Sequence, residues 1–202
     1  RRAIADFDAA RRLAPGHGDA ADRSGRCFDA LGKAEASLGS DPRASWQRAV
    51  ADFTEACARR GESADLVGRR GDVRVRLGQA EQARNADPRE FYRQAIADYD
   101  AALRADPALT SRQANRGQAF WLIGKREEAA GRDARDSFRR AIADYDEVLR
   151  REPANAMAWV NRGAAWATLA RVQDARGEDP RESQRRALAD LGEGIRLAPG
   201  DA

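Results

Sequence analysis

Apolar residues recur along the chain at helical spacing, and the recurrence itself repeats. In the first segment, Ile4 and Phe7 precede an apolar stretch that ends at Leu13, which predicts a helix closed by an Ala-Pro-Gly sequence. No stretch of the sequence alternates apolar and polar residues in the manner of a strand. The pattern therefore predicts an all-α chain.

The segment Ala-Ile-Ala-Asp-Tyr-Asp at 95–100 marks the period of the recurrence. Variants of it begin at residues 3, 49, 95, 141 and 187, so that every interval is 46 residues. An unbroken period of this length is typical of stacked repeats, in which each unit packs only on its neighbours.

Start and stop signals divide each period into two helices. An aspartate followed by proline or alanine favours a helix start, and a glycine or asparagine two residues earlier favours the preceding stop. The starts are Asp41, Asp87, Asp133 and Asp179, and the stops are Gly39, Asn85, Gly131 and Gly177. We expect a lone helix at 1–16, then helix pairs at 17–62, 63–108, 109–154 and 155–200, as a single array over 1–202.

Two columns of small residues lie on the first helix of each predicted pair. They are Gly25, Gly71, Gly117 and Gly163, and then Gly32, Gly78, Gly124 and Ala170. Glycine inside a helix costs about 1 kcal/mol relative to alanine, so glycines in register predict the close approach of another helix. On the second helix an aromatic column, Trp46, Tyr92 and Phe138, is expected to pack the helices together, and Gln184 interrupts it in the last pair.

The order of these columns resembles the tetratricopeptide repeat. Asn115-Arg116-Gly117, Gly124, Ala141, Tyr145 and Pro153 follow the order of that family, and residues 159–166 look especially like its first helix. The resemblance implies an α-solenoid, a right-handed superhelix of antiparallel helix pairs. The usual repeat has about 34 residues, so we expect an elongated variant in which the surplus lengthens both helices.

The resemblance also implies where partners bind, because first helices line a concave groove in this family. Carried over column by column, the predicted partner-binding residues are Arg26, Asp29, Lys33, Asp72, Arg76, Gln118, Trp121, Lys125 and Arg171. The chain's only two lysines fall in this set, which favours an acidic peptide or partner. The alternative is a solvated helix end, where basic residues also suit the helix dipole. Trp121 is either a binding anchor or a packing residue against the next pair.

Composition argues against several other functions. The net charge of +3 is spread thinly, without the basic stripe of a nucleic-acid binder. His17 is the only histidine, and Cys27 and Cys57 lack metal or redox spacing, so we predict no catalytic residues, metal or cofactor. The two cysteines are expected to be small buried hydrophobes, although a disulfide between consecutive helices is conceivable. No apolar run of about 18 residues predicts membrane insertion.

Arginine and aspartate also recur four residues apart beside the period-marking segment. Such pairs are predicted to form local ion pairs on a solvated helix face, worth ~0.2–0.5 kcal/mol each. They are Arg2/Asp6, Arg48/Asp52, Arg140/Asp144 and Arg186/Asp190.

We therefore predict a non-enzymatic scaffold for protein interactions. The chain begins inside a repeat without an initiator methionine, and arginine far outnumbers lysine, so we expect part of a larger bacterial protein in the cytoplasm. One alternative is head-to-tail self-assembly through uncapped ends, because Leu191 and Ile195 precede no further repeat in this sequence. Another is a regulatory or sensory arm of an enzyme whose catalytic domain lies outside these residues.

Overall fold

A computed structural model describes residues 18–198, which contain eight α-helices and no strand. The helices are α1 Gly18–Ser37, α2 Arg43–Arg60, α3 Ala64–Ala83, α4 Arg89–Ala105, α5 Thr110–Ala129, α6 Arg135–Arg151, α7 Ala156–Ala175 and α8 Arg181–Leu197. The all-α prediction is confirmed, and each helix falls within the pair predicted for it. The predicted lone helix at 1–16 lies outside the described residues.

The helices form two compact units, with the boundary between Pro107 and Ala108. The first unit holds the pairs α1–α2 and α3–α4, and the second holds α5–α6 and α7–α8. First helices have 20 residues and second helices 17 or 18, which corresponds to about 30 Å and 26 Å at the helical rise. The predicted elongation of both helices is confirmed, whereas the single array over all 202 residues stays a prediction.

The turn inside each pair closes one helix and opens the next. Gly39 adopts a φ of +72°, and the backbone N–H of Ser40 donates to the carbonyl of Glu35 at 2.8 Å, which closes α1 in a Schellman motif. Asp41 then accepts from the backbone N–H of Arg43 at 3.2 Å and so caps α2. The same capping bond recurs at the start of α4, α6 and α8. The predicted starts and stops are confirmed.

The capping aspartates make the stability of the turns depend on pH. The Arg43 side chain donates to Asp41 and holds the pKa of that carboxyl at about 2, and Arg181 does the same for Asp179. Since the unfolded value is about 3.9, their contribution is complete above roughly pH 4 and is lost as the pH falls towards 2.

We therefore expect the denaturant midpoint of the wild type to fall more steeply between pH 4 and 2 than that of the double variant Asp41→Asn/Asp179→Asn. Asparagine caps a helix without titrating, so the difference between the two pH profiles isolates these groups from the other carboxylates. Parallel profiles would show that the aspartates act only as neutral caps.

In the first three helix pairs, glycines on the first helix face aromatic rings on the second, and in the fourth pair Gly163 faces Leu191 instead. A Cβ added at Gly124 would lie 2.6 Å from Cε1 of Phe138, and one at Gly25 would lie 3.0 Å from the ring of Phe53. Phe138 and Tyr92 are fully buried and Trp46 is 6 % exposed, whereas Gln184, the interruption of the column, is exposed. The predicted close approach and the packing role of the aromatic column are confirmed.

Among the described residues the predicted solvated face of Arg–Asp pairs is wrong, because the aspartates of that column are buried. The pair Arg2 and Asp6 lies outside the described residues. Asp52, Asp98, Asp144 and Asp190 are between 1 and 5 % exposed. The column faces the first helix at the glycine contact, where the Cβ atom of Asp144 would lie 3.1 Å from a Cβ added at Gly117. These carboxylates are therefore largely removed from water and need hydrogen-bond donors from neighbouring side chains.

The donors come mainly from the residue before the first glycine column. Arg70 binds Asp98 at 2.7 Å, Arg116 binds Asp144 at 2.6 Å and Arg162 binds Asp190 at 2.7 Å. In the first pair, the Ser24 hydroxyl donates to Asp52 at 2.6 Å, and Arg48 adds the predicted local contact at 3.1 Å. Arg140 and Arg186 instead bind Asp136 and Glu182 on their own helices.

Candidate partner-binding face

The nine predicted binding residues all lie on first helices of the pairs. We call their surface the first-helix face: α1 and α3 in the first unit, and α5 and α7 in the second. Within the first unit, Nη1 of Arg76 donates to Asp29 of α1 at 2.9 Å. Within the second, Nε1 of Trp121 donates to the hydroxyl of Thr168 of α7 at 3.4 Å. The two first helices of each unit thus lie side by side, as a shared binding surface requires.

In the first unit the predicted residues form a mixed-charge cluster. Asp29 accepts from Lys33 at 2.8 Å as well as from Arg76. The guanidinium of Arg26 forks onto Asp22 at 2.9 and 2.8 Å, and this hydrogen bonding raises its pKa. Asp72 accepts from the buried Tyr99 hydroxyl at 2.9 Å, so it also supports the packing of its helix pair.

In the second unit the predicted residues gather around Trp121. The Lys125 ammonium lies 5.9 Å from the centroid of the Trp121 ring, within cation–π distance. Lys125 and Arg171 both bind Glu128, at 3.6 Å and 2.6 Å. Gln118 of the same helix α5 is exposed. Because Trp121 is half-buried and packs on the core shared by α6 and α7, the structure supports the packing interpretation of this residue.

The first-helix face is more balanced in charge than the sequence suggested. Lys33 and Arg76 share Asp29, and Lys125 and Arg171 share Glu128. Sequence reasoning missed Glu128 and Thr168, because it considered one column at a time. Glu128 stands three residues after Lys125, a helical spacing that could have revealed the pair.

Other candidate chemistry is sparse in the part of the chain that the structure describes. No group of three or more metal-ligating side chains occurs in residues 18–198. Across the same residues no helix combines the length and apolar character needed to cross a membrane. Cys27 and Cys57 are free thiols. Cys57 is 6 % exposed, and burial raises the pKa of its thiol, as expected of a small core residue, whereas Cys27 is half-buried.

Comparison with solved structures finds helical-repeat proteins that match nearly the whole chain. The structure of YrrB, a tetratricopeptide-repeat protein, matches with a TM-score of 0.68 and 19 % identity, over 99 % of this chain and 78 % of its own. The fold is that of a tetratricopeptide-type repeat. A structure of MamA matches with a TM-score of 0.62 and 12 % identity, over 98 % of this chain and 85 % of its own. A structure of MamA from Desulfovibrio magneticus RS-1 matches with a TM-score of 0.56 and 14 % identity, over 87 % of this chain and 76 % of its own.

The resemblance noted in the sequence is thereby confirmed at the level of the fold. No family model matches the chain, and no curated protein matches it in sequence. The tetratricopeptide-type fold of this chain is also distinctive in its 46-residue period, against about 34 in the usual repeat. In the first three pairs the second glycine column packs against the aromatic column, as Gly124 and Phe138 illustrate.

Proposed function

We propose that the chain is a protein-interaction scaffold that binds a peptide or partner segment along the first-helix face. The observation that carries the proposal is the lateral pairing of first helices, through Arg76 with Asp29 and through Trp121 with Thr168. Within each unit this pairing brings side chains that differ from repeat to repeat onto a shared surface, while the recurring columns are buried. YrrB, which shares the fold, is described as having an unusual peptide-binding site.

The preference for acidic partners is a separate part of the proposal. Lys33, Arg76, Lys125 and Arg171 supply the cations, but each already has an internal carboxylate partner. An acidic segment would therefore have to exchange with Asp29 or Glu128. The affinities for glutamate-rich and lysine-rich peptides of equal length test this preference. Tighter binding of the lysine-rich peptide would contradict it.

Binding to the first-helix face predicts a clear contrast between two matched double variants. Peptides selected from a displayed random-peptide library on the wild-type chain should bind Gln118→Ala/Lys125→Ala about tenfold more weakly or worse, because central contacts dominate binding energy. The control variant Gln47→Ala/Arg139→Ala likewise removes one glutamine and one basic side chain, but from exposed positions of α2 and α6. It should bind the peptides as tightly as the wild type does. Fluorescence anisotropy measures both affinities.

Two results would contradict this proposal. One is a library selection that yields no peptide above background on a correctly folded chain. The other is a selected peptide whose affinity falls only in the α2 and α6 variant, since that would place binding on the second helices.

Two other hypotheses from the sequence are self-assembly and a regulatory role for an enzyme. Self-assembly would use the end of the last helix pair, where apolar side chains of α8 are exposed. A regulatory role for an enzyme, and a location in the cytoplasm, remain predictions from the sequence. The proposed binding function assigns no reaction to the chain.

A further inference from the structure

A cavity of about 410 Å³ lies between the turn of the first helix pair and the end of α3. We call it the turn cavity, and its wall on α3 includes Ala80 and Ala83. The opposite wall runs from the end of α1 through the turn to the start of α2, and it includes Ala36, Pro42 and Trp46. Both walls belong to the first unit and to the described part of the chain. The hollow therefore lies between two helix pairs that pack on each other.

The second unit carries larger side chains in two columns of this lining. Ala36 and Ala80 correspond, two periods later, to Glu128 and Val172. Val172 is 6 % exposed and belongs to the core shared by α6 and α7, and Glu128 forms two salt bridges. In the first unit Ala36 is exposed and Ala80 is half-buried. The turn cavity thus follows from alanines at two columns where the second unit has larger side chains.

Three charged side chains also line the turn cavity, namely Asp41, Arg76 and Arg84. Asp41 is already bound by Arg43 at 2.7 Å, whereas Nη1 of Arg84 lies 4.0 Å from it. The side chain of Arg84 is 57 % exposed. The lining therefore offers two guanidinium groups and one carboxylate, and the carboxylate is engaged by a third arginine.

An aromatic side chain with a carboxylate beside it matches this lining. Guanidinium groups stack on aromatic faces, and this chain makes such contacts itself, as between Arg162 and Trp159 at 4.6 Å from the ring centroid. Alanine methyl groups supply the apolar surface for the ring, and an adjacent carboxylate would pair with Arg84. The volume is near the lower end of the range of about 300–1,000 Å³ for ligand pockets, which suits one large side chain better than an extended ligand.

We propose that the turn cavity anchors an aromatic residue of the bound partner, with an acidic residue next to it in the partner's sequence. Arg76 belongs both to the cavity and to the first-helix face, so one segment can contact the two together. The inference rests on the proposed function, because the anchor is part of the same bound segment. It adds a preference for an aromatic–acidic pair that the first-helix face alone does not specify.

Binding of library-selected peptides tests the turn cavity. Selection on the wild type should enrich an aromatic residue next to aspartate or glutamate. In such a peptide, replacing the aromatic residue by alanine should weaken binding to the wild type about tenfold or more, because a few anchors in pockets carry most of the binding energy. The indole N–H signal of Trp46 in an NMR spectrum should shift with the original peptide and stay close to its free position with the alanine-substituted one.

Filling the cavity gives the matching protein variant. Ala80→Val/Ala83→Leu adds side chains that the fold can hold, since Val172 occupies the column of Ala80 in the second unit and Ala83 is exposed. This variant should bind the original peptide about tenfold more weakly than the wild type does, and the alanine-substituted peptide equally well. The control Ala51→Val/Ala58→Leu makes the same changes at exposed positions of α2, and it should bind both peptides as the wild type does.

The acidic residue of the peptide is tested through Arg84. Replacing that residue by its amide should weaken binding to the wild type, because the charge-assisted contact with the guanidinium is lost. The same replacement should have no effect on binding to Arg84→Gln. An equal loss with both proteins would show that the carboxylate binds elsewhere.

Two results refute the turn cavity and leave the proposed function standing. One is the selection of peptides without the aromatic–acidic pair. The other is equal binding of the original peptide to the wild type and to the cavity-filled variant, together with weaker binding to Gln118→Ala/Lys125→Ala. A selection that yields no peptide above background refutes both the cavity and the proposed function.

Discussion

Replacing Phe138 by alanine should lower the free energy of unfolding by about 3–5 kcal/mol, the range for deleting a buried aromatic side chain. Phe138 is fully buried on α6, and its ring faces Gly124 of α5. The ring belongs to the buried aromatic column that packs the second helix of a pair against the first, so its loss removes the contact with the second glycine column. Urea denaturation followed by circular dichroism measures the change.

The fourth helix pair supplies the control for this prediction. Gln184 occupies the column of Phe138 and is exposed, so Gln184→Ala should change stability by no more than about 0.5 kcal/mol. Gly124→Ala should destabilise the wild type, because its Cβ would lie 2.6 Å from the ring. The same substitution should be neutral or favourable in Phe138→Ala, where the ring is gone and alanine favours the helix. Additive effects of the two substitutions would contradict the assigned contact.

Replacing Asp98 by alanine should also cost about 3–5 kcal/mol, the range for breaking a buried ion pair from one side. Asp98 is 3 % exposed and binds Arg70 at 2.7 Å and Arg74 at 2.5 Å, with those side chains 11 and 17 % exposed. Without the carboxylate, two largely buried guanidinium groups lose their buried counter-charge, and Arg70 keeps only the exposed Glu62 at 3.4 Å. Denaturation of Asp98→Ala at neutral pH, compared with the wild type, measures this loss.

An exposed pair of the same chemistry gives the contrast. Asp136 and Arg140 are 74 and 60 % exposed and lie 2.9 Å apart on α6. Exposed pairs contribute about 0–1 kcal/mol, so Asp136→Ala should be close to neutral. If the two aspartate variants are equally stable, the column that contains Asp98 is a solvated face after all.

The period of the sequence is sufficient to predict the fold, because local signals repeat in register. Asp41 caps α2 and Gly39 ends α1 through backbone geometry that depends on a few neighbouring residues. The glycine and aromatic columns are equally local in sequence, since one helix pair contains both partners. Three or four repeats of each signal make a chance pattern implausible, and the helices lie where these signals predict them.

The ion pairs and the first-helix face were harder to predict, because their partners are distant in sequence. Arg116 and Asp144 are 28 residues apart, whereas the spacing of Arg140 and Asp144 suggested a local pair. The balance of charge around Lys125 likewise depends on Glu128 and on Arg171 of another helix. Pattern analysis finds the columns, but side-chain pairing across helices is decided by burial and by the competition among many arginines.

Hydroxyl-radical footprinting with and without a library-selected peptide tests the central claim most directly. The half-buried Trp121 reports on the first-helix face, and Met157, which is 67 % exposed, reports on the exposed start of α7 in the last helix pair. At a fixed protein concentration, the bound peptide should reduce oxidation of Trp121 and leave that of Met157 unchanged. Protection of Met157 with undiminished oxidation of Trp121 would contradict the account, because the peptide would then occupy the end of the last helix pair.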